Sequence, residues 1–332
     1  LLRGLSVGSV TFLVASGFSL IFGLLDVLNL AHGTLFMIGA YIGWTTYVRP
    51  DTTVDLLPVL ALLAAGFLLG PVWSGLTVRI RLVGRWQAAW PWLGLVIAAG
   101  LLFLVLPHYP ITAWNVAIYS ESPGTYSFLA DQGQLVLPAP KPFTGLPPVF
   151  VLGGLLFSGL LGAFSLAGLR RDRSGGPGLN SKASRLALLS ALILVVCGIL
   201  VHIFNDLLTA ALVGLGTTAL FFIALLVAVF AGMGMGALME SSLIRPLYSR
   251  PIYQLMLTLG LSYVGIEMVR AIWGRTEFVM PKPALFNGTG EGCPATSLGD
   301  WLAHHCSTVM VLDGRVRVYN EIFIPLVGLV VL

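Results

Sequence analysis

Charge is what this sequence has least of. Asp, Glu, Lys and Arg make up 10% of its 332 residues, against roughly 25% in a soluble globular chain. Hydrophobic residues make up 57%, and the mean hydropathy is +0.93. So few charges cannot cover a water-facing surface of this size. Soluble classes are therefore excluded, and an all-α, polytopic transmembrane helical bundle is expected. Cysteine is scarce as well, with three residues, which excludes a disulfide-dense scaffold. There is no G-x-x-x-x-G-K-[ST] loop to cradle nucleotide phosphates, no H-E-x-x-H zinc motif and no G-x-S-x-G nucleophile turn. The chain is thus expected to be no enzyme, to bind no cofactor or metal directly, and to take any energy input from a partner or an ion gradient. No signal peptide with a cleavage site is visible. The first residue is Leu1 and the last, Leu332, lies inside an apolar run, so a longer natural protein is expected.

What is present is a series of apolar runs of about the 17–25 residues a membrane span needs. They cover approximately 5–23, 32–48, 56–76, 91–107, 149–169, 186–205, 212–239, 253–274 and 322 onward. The seventh, if fully helical, would reach ~42 Å, so tilt or projection from the bilayer is expected. Connections 77–90, 170–185 and 240–252 hold ten Lys and Arg in 43 positions. The alternating set, 49–55, 108–148, 206–211 and 275–321, holds six in 101. By the positive-inside rule the dense set is cytoplasmic. The pI of 9.1 therefore reflects loop asymmetry and does not argue for nucleic acid.

One stretch stands out chemically. Between the first two apolar runs lies Gly23-Leu-Leu-Asp-Val-Leu-Asn-Leu-Ala-His-Gly33, a break carrying Asp26, Asn29 and His32. An unpaired polar group in hydrocarbon costs about 2–7 kcal/mol, and broken backbone at membrane depth survives only where protein or a wet cavity surrounds it. These side chains therefore sit at the membrane surface, in a helix-packed interior or on a solute pathway. A surface loop whose polar residues cap the following helix is the plain structural alternative.

Other features read as architecture. Gly8, Thr11, Ala15 and Ser19, then Gly154, Ser158 and Gly162, then Gly232 and Gly236, form small-residue stripes that would let helices approach closely. Trp114, Tyr119, Trp273 and Trp301 suit an interfacial belt. Cys293 and Cys306, on the expected outer side, are disulfide candidates; His304 and His305 make a metal site the rival, but the spacing matches no standard zinc pattern. Cys197, within a span, reads as packing. Glu267 and Arg270 can pair at i,i+3. His202, Asn205 and Asp206 cluster at the outer end of the sixth span.

The segment Gly17–Tyr41, GFSLIFGLLDVLNLAHGTLFMIGAY, resembles the signature of the membrane permease subunits of branched-chain amino-acid ABC importers. Gly17, Ile21, Phe22, Gly23, Asn29, Ala31, His32, Gly33, Gly39, Ala40 and Tyr41 carry it. Met239–Gly274 is similar to that family's cytoplasmic "E-R-x-x-x-R-P-L-R" turn and the "T-I-G-L-S" helix after it, through Glu240, Arg245, Pro246, Leu247, Thr258, Gly260, Leu261 and Ser262. Ser241 and Tyr248 stand where the family's turn has arginines. Positions 56–211 add about four spans beyond the family pattern.

The resemblance implies an ABC importer permease-like fold. The chain then divides into first membrane segments (1–48), an atypical insertion (49–211), helices flanking the turn (212–274), an outer loop (275–321) and the start of a further span (322–332). It further implies a bacterial-type inner membrane location and import of branched-chain amino acids or related small amides such as urea. Implied partners are a second permease subunit, two ATP-binding cassette subunits using ATP, an extracytoplasmic solute-binding protein and the lipid bilayer. Asp26, Asn29, His32, Gly33, Gly39 and Tyr41 would line or gate the path, and Glu240, Arg245 and Pro246 would shape a turn near the ATPase. Two other classes stay open: an ion-coupled secondary carrier, for which the broken segment speaks, and a membrane scaffold or embedded enzyme, suggested by the added spans.

Overall fold

A computed structural model of the chain describes residues 2–25, 28–79, 85–111, 145–169, 181–248, 250–274, 282–311 and 314–331, with Phe143 and Met280. The helices are α1 (Leu2–Leu25), α2 (His32–Val48), α3 (Pro50–Leu68), α4 (Gly70–Thr77), α5 (Trp86–Val105), α6 (Pro148–Leu169), α7 (Lys182–Ile203), α8 (Asn205–Val213), α9 (Thr217–Met239), α10 (Pro251–Trp273), α11 (Leu298–His304) and α12 (Ile324–Val331). Among the described residues seven are long and apolar enough to cross a membrane, and α2, at 17 residues, falls just short. The protein is an all-α polytopic bundle; among the described residues it carries one small antiparallel hairpin, β1 (Thr308–Val311) and β2 (Gly314–Arg317).

Two expected outer loops are helical. Positions 49–55 are not a loop: only Arg49 separates α2 from α3, because Pro50, with φ already set and no N–H to satisfy, opens a new helix at once. Positions 206–211 lie within α8, and the break comes later, at Gly214–Gly216. The seventh span is accordingly 23 residues, and its expected excess length disappears.

The chain forms two compact units. In the unit built from α3 to α8, helices interlock through missing side chains. A methyl at Gly66 would strike the Gly159 backbone, one at Gly159 would lie 2.5 Å from the Leu63 carbonyl oxygen, and one at Gly154 would lie 2.8 Å from Val105. Ser158 Oγ donates to the Ala98 carbonyl at 2.8 Å. Val59, Leu62, Val105, Tyr109, Val151 and Leu155 form the buried core around these contacts. At one end Asn205 Nδ2 donates to the buried Asp55 carboxylate at 2.8 Å, and the Tyr109 hydroxyl lies 3.2 Å from His202 Nδ1. Burial, and then the charge of Asp55, push the Tyr109 phenol well above its ordinary range. Asp206, read with His202 and Asn205, is exposed.

The other unit contains α1, α2 and the helices from α9 onward. Here α2 approaches α9 through Gly43, where a methyl would lie 3.0 Å from Ala228 Cβ. Trp273 Nε1 donates to Thr45 Oγ1 at 2.9 Å, with its ring 5.3 Å from that of Tyr41. Trp273 is thus buried packing and not part of an interfacial belt. Trp301 is likewise turned inward, donating to the Cys306 carbonyl at 2.9 Å; Trp114 and Tyr119 lie outside the described residues. Cys293 and Cys306 are joined in a disulfide, Cα–Cα 5.5 Å. The segment they staple is tied to the start of α9, where Thr217 and Thr218 accept from the Ala284 and Leu285 N–H groups. Cys197 is exposed rather than packed.

Candidate functional site

The break between α1 and α2 is real, and its backbone is satisfied from both near and far. Locally, Asn29 Oδ1 accepts from the Ala31 N–H at 3.0 Å, closing a turn that leads into α2. From 228 residues away, Thr258 Oγ1 on α10 accepts from the Leu30 N–H at 3.3 Å and reaches the Leu28 carbonyl at 3.4 Å. One turn along each helix, the Thr34 and Ser262 hydroxyls meet at 2.6 Å. Gly265 leaves the room that Thr34 occupies, since a methyl there would meet Thr34 Cγ2. Asn29, Ala31 and Thr258 are all buried, Thr258 completely. The break is therefore a packed joint, held by α10, and not a surface loop.

Beside the joint lies a cavity of about 640 Å³. Its wall is almost wholly apolar, with polar groups at Asn29, His32 and Glu240. Gly39 from α2, and Gly232 and Gly236 from α9, form part of that wall. The stripe Gly232/Gly236 was expected to pack a neighbouring helix; nothing lies within 4 Å of a methyl placed at either. These glycines make room instead of contact. Gly17 on α1 serves the imidazole, because a methyl there would lie 2.8 Å from His32 Nε2.

At the end of α9 the backbone widens into a π-turn, Glu240–Ile244, and then tightens into a 3-10 turn, Arg245–Leu247. Tyr248 OH donates to Glu240 Oε1 at 2.7 Å, and that bond holds the phenol above its ordinary range. Arg245 is exposed.

The structure thus gathers Asn29, His32, Gly39 and Glu240 around one cavity. Gly33 is exposed, and Tyr41 packs on Trp273, both away from the wall. Asp26 lies outside the described residues. Sequence reasoning singled out Thr258 and Ser262 as motif letters without giving them work; their hydroxyls on an otherwise apolar helix were the available signal. Among the described residues no group of His, Cys, Asp and Glu side chains is arranged to hold a metal. Glu267 and Arg270 pair at 2.6 Å on an exposed face.

Residues 1–132 match the family described as "Branched-chain amino acid transport system / permease component". The "High-affinity branched-chain amino acid transport system permease protein BraD" of Pseudomonas aeruginosa is 43% identical over 44 residues, a stretch covering 13% of this chain and 14% of that protein. No solved structure gives a significant match. The apolar helices mark a multi-pass membrane protein, and the family match over residues 1–132 agrees with the resemblance carried by Gly17–Tyr41.

Proposed function

We propose that this chain, whose first 132 residues match the branched-chain amino-acid permease family, is a permease subunit of an ATP-driven importer. Its solute would be a branched-chain amino acid or a related small amide, crossing beside the joint between α1 and α2. The observation that carries this reading is the cavity itself. Broken backbone at a helix junction, an apolar wall and, among the described residues, three polar groups match what a small zwitterion with an aliphatic side chain requires. Asn29 and His32 offer hydrogen bonds at one end, while Gly232 and Gly236 leave space for the side chain.

In this reading a second permease subunit, two ATP-binding cassette subunits and an extracytoplasmic binding protein complete the assembly in the inner membrane. ATP would act through the partner subunits. The turn Glu240–Leu247 lies where the charge-dense connection 240–252 begins, and Arg245 and Pro246 would shape it near the ATPase.

The test is uptake into vesicles containing the full-length protein with its candidate ATPases and binding protein. Wild type is compared with His32→Ala, with and without internal ATP. ATP-dependent uptake that is lost in the variant at unchanged expression is the expected result. Uptake that ignores ATP and collapses with the proton gradient would replace this reading with an ion-coupled carrier.

A further inference from the structure

We propose that the basic end of the α3–α8 unit is a docking surface for anionic phospholipid headgroups. Among the described residues at that end four are Lys or Arg, namely Arg79, Arg85, Lys182 and Arg185, and none of positions 76–79, 85–92 and 181–189 is Asp or Glu. The third charge-dense connection, 240–252 in the other unit, holds Arg245 and Arg250 against Glu240. The excess is therefore concentrated on one unit, well beyond a uniform orientation signal.

Packing brings the helix ends that carry these four residues together. Near the end of α6, a methyl at Gly168 would strike the Trp90 ring of α5, so that ring lies directly against the α6 backbone. Leu76 near the end of α4 packs into the cluster formed by Leu69, Val72 and Ala191, which joins α4 to α7. Arg79, Arg85, Lys182 and Arg185 are exposed there, whereas Thr77 and Ser184 beside them are buried. Inward side chains fix the backbone and outward ones present charge. Lys182 and Arg185 also lie on the first turn of α7, whose amide dipoles add to the attraction for a phosphate.

The same end carries an aromatic fringe. Trp86 and Trp92 on α5 are 65% and 62% exposed, as suits indole rings at headgroup depth. Exposed Leu93, Leu186 and Leu189 continue the surface toward the acyl region. A ligand matching both parts has a phosphate diester joined to hydrocarbon. This favours a lipid headgroup over a free phosphate, and clustered cations next to spanning helices are a recognised basis for such binding.

The experiment embeds full-length protein in nanodiscs of phosphatidylcholine alone or mixed with phosphatidylglycerol, and counts retained lipid by native mass spectrometry. The variant combines Arg79→Gln, Arg85→Gln, Lys182→Gln and Arg185→Gln; a companion carries the three Arg→Lys changes. Wild type should retain phosphatidylglycerol preferentially, the Gln variant about tenfold or more weakly, and the Lys companion like wild type. Equal retention by wild type and the Gln variant would overturn the proposal. So would competition by millimolar inorganic phosphate, which would indicate a site for a free anion. If the Gln variant does not fold, wild type decides alone: no preference for the anionic lipid, or one insensitive to salt, would refute the proposal.

Discussion

Two sets of glycines, one in each unit, do opposite work. In the α3–α8 unit Gly66, Gly154, Gly159 and Gly168 are filled by a neighbour, so that backbone lies on backbone or ring on backbone. In the other unit Gly232, Gly234 and Gly236 on α9 meet nothing within 4 Å, and two of them form the wall of a cavity. Without a hydrophobic drive between helices in lipid, close contact is the main source of cohesion. The first set is spent on that contact. The second unit gives some up along α9 and compensates at Gly43, at the Thr34–Ser262 bond and at the stapled outer segment. A rigid bundle and a bundle with an internal space can thus be written in the same residue type.

The comparison is broken most directly by adding methyls. Gly66→Ala and Gly159→Ala should each lower stability by about 1–3 kcal/mol through overpacking, read as a lower midpoint of thermal unfolding in detergent. Equal tolerance at these sites and at Gly232 would show the contrast to be false. Next in size is Thr258→Val, which leaves the Leu30 N–H without its acceptor at a cost of about 1–3 kcal/mol. Hydrogen exchange at the joint should rise and uptake should fall, whereas Thr258→Ser should behave nearly as wild type. Gly17→Ala should displace the His32 ring with a smaller loss of stability, within about 1 kcal/mol, and lower uptake more than it lowers the unfolding midpoint.

Smaller still in stability are Gly232→Ala and Gly236→Ala, expected within about 0.5 kcal/mol of wild type. Gly232→Leu should fill the cavity and abolish uptake while the protein remains folded. The least effect belongs to Asp300 in the outer segment. Its carboxyl is held below its ordinary value of 3.8 by bonds from Thr296 and Ser297. A depressed folded value means the contribution is complete above that ordinary value and is lost as pH falls through the folded one. Thr296→Val should therefore weaken protease resistance of the outer segment slightly at neutral pH, and the difference should vanish under strong acid.

Much of the bundle was legible because hydropathy at membrane length is a one-dimensional signal. The break at Asn29–His32 was legible because polar residues in an apolar chain demand a reason. What escaped is two-body. Nothing in the string says that Thr258 answers Leu30, 228 positions earlier, or that Gly232 faces space while Gly159 faces Leu63. The stripes look identical until the neighbour is known. The joint at Arg49 was missed for a different reason: polar residues 51–55 read as a loop, although Pro50 and Asp51 are also what opens a helix. Trp273 and Trp301 were read as a belt from residue type alone, while their indole N–H groups are spent inside the protein.

The widened turn at Glu240–Ile244 has a consequence for sequence change. A π-turn accommodates one residue more than the α-helix it interrupts. In a plain α-helix, deleting a single residue rotates everything beyond it by about 100° around the axis. At the widened turn the same deletion would instead tighten the backbone to ordinary α-helix and leave the flanking residues close to their original faces. The chain at this point tolerates a change of length better than the regular helix of α9 does.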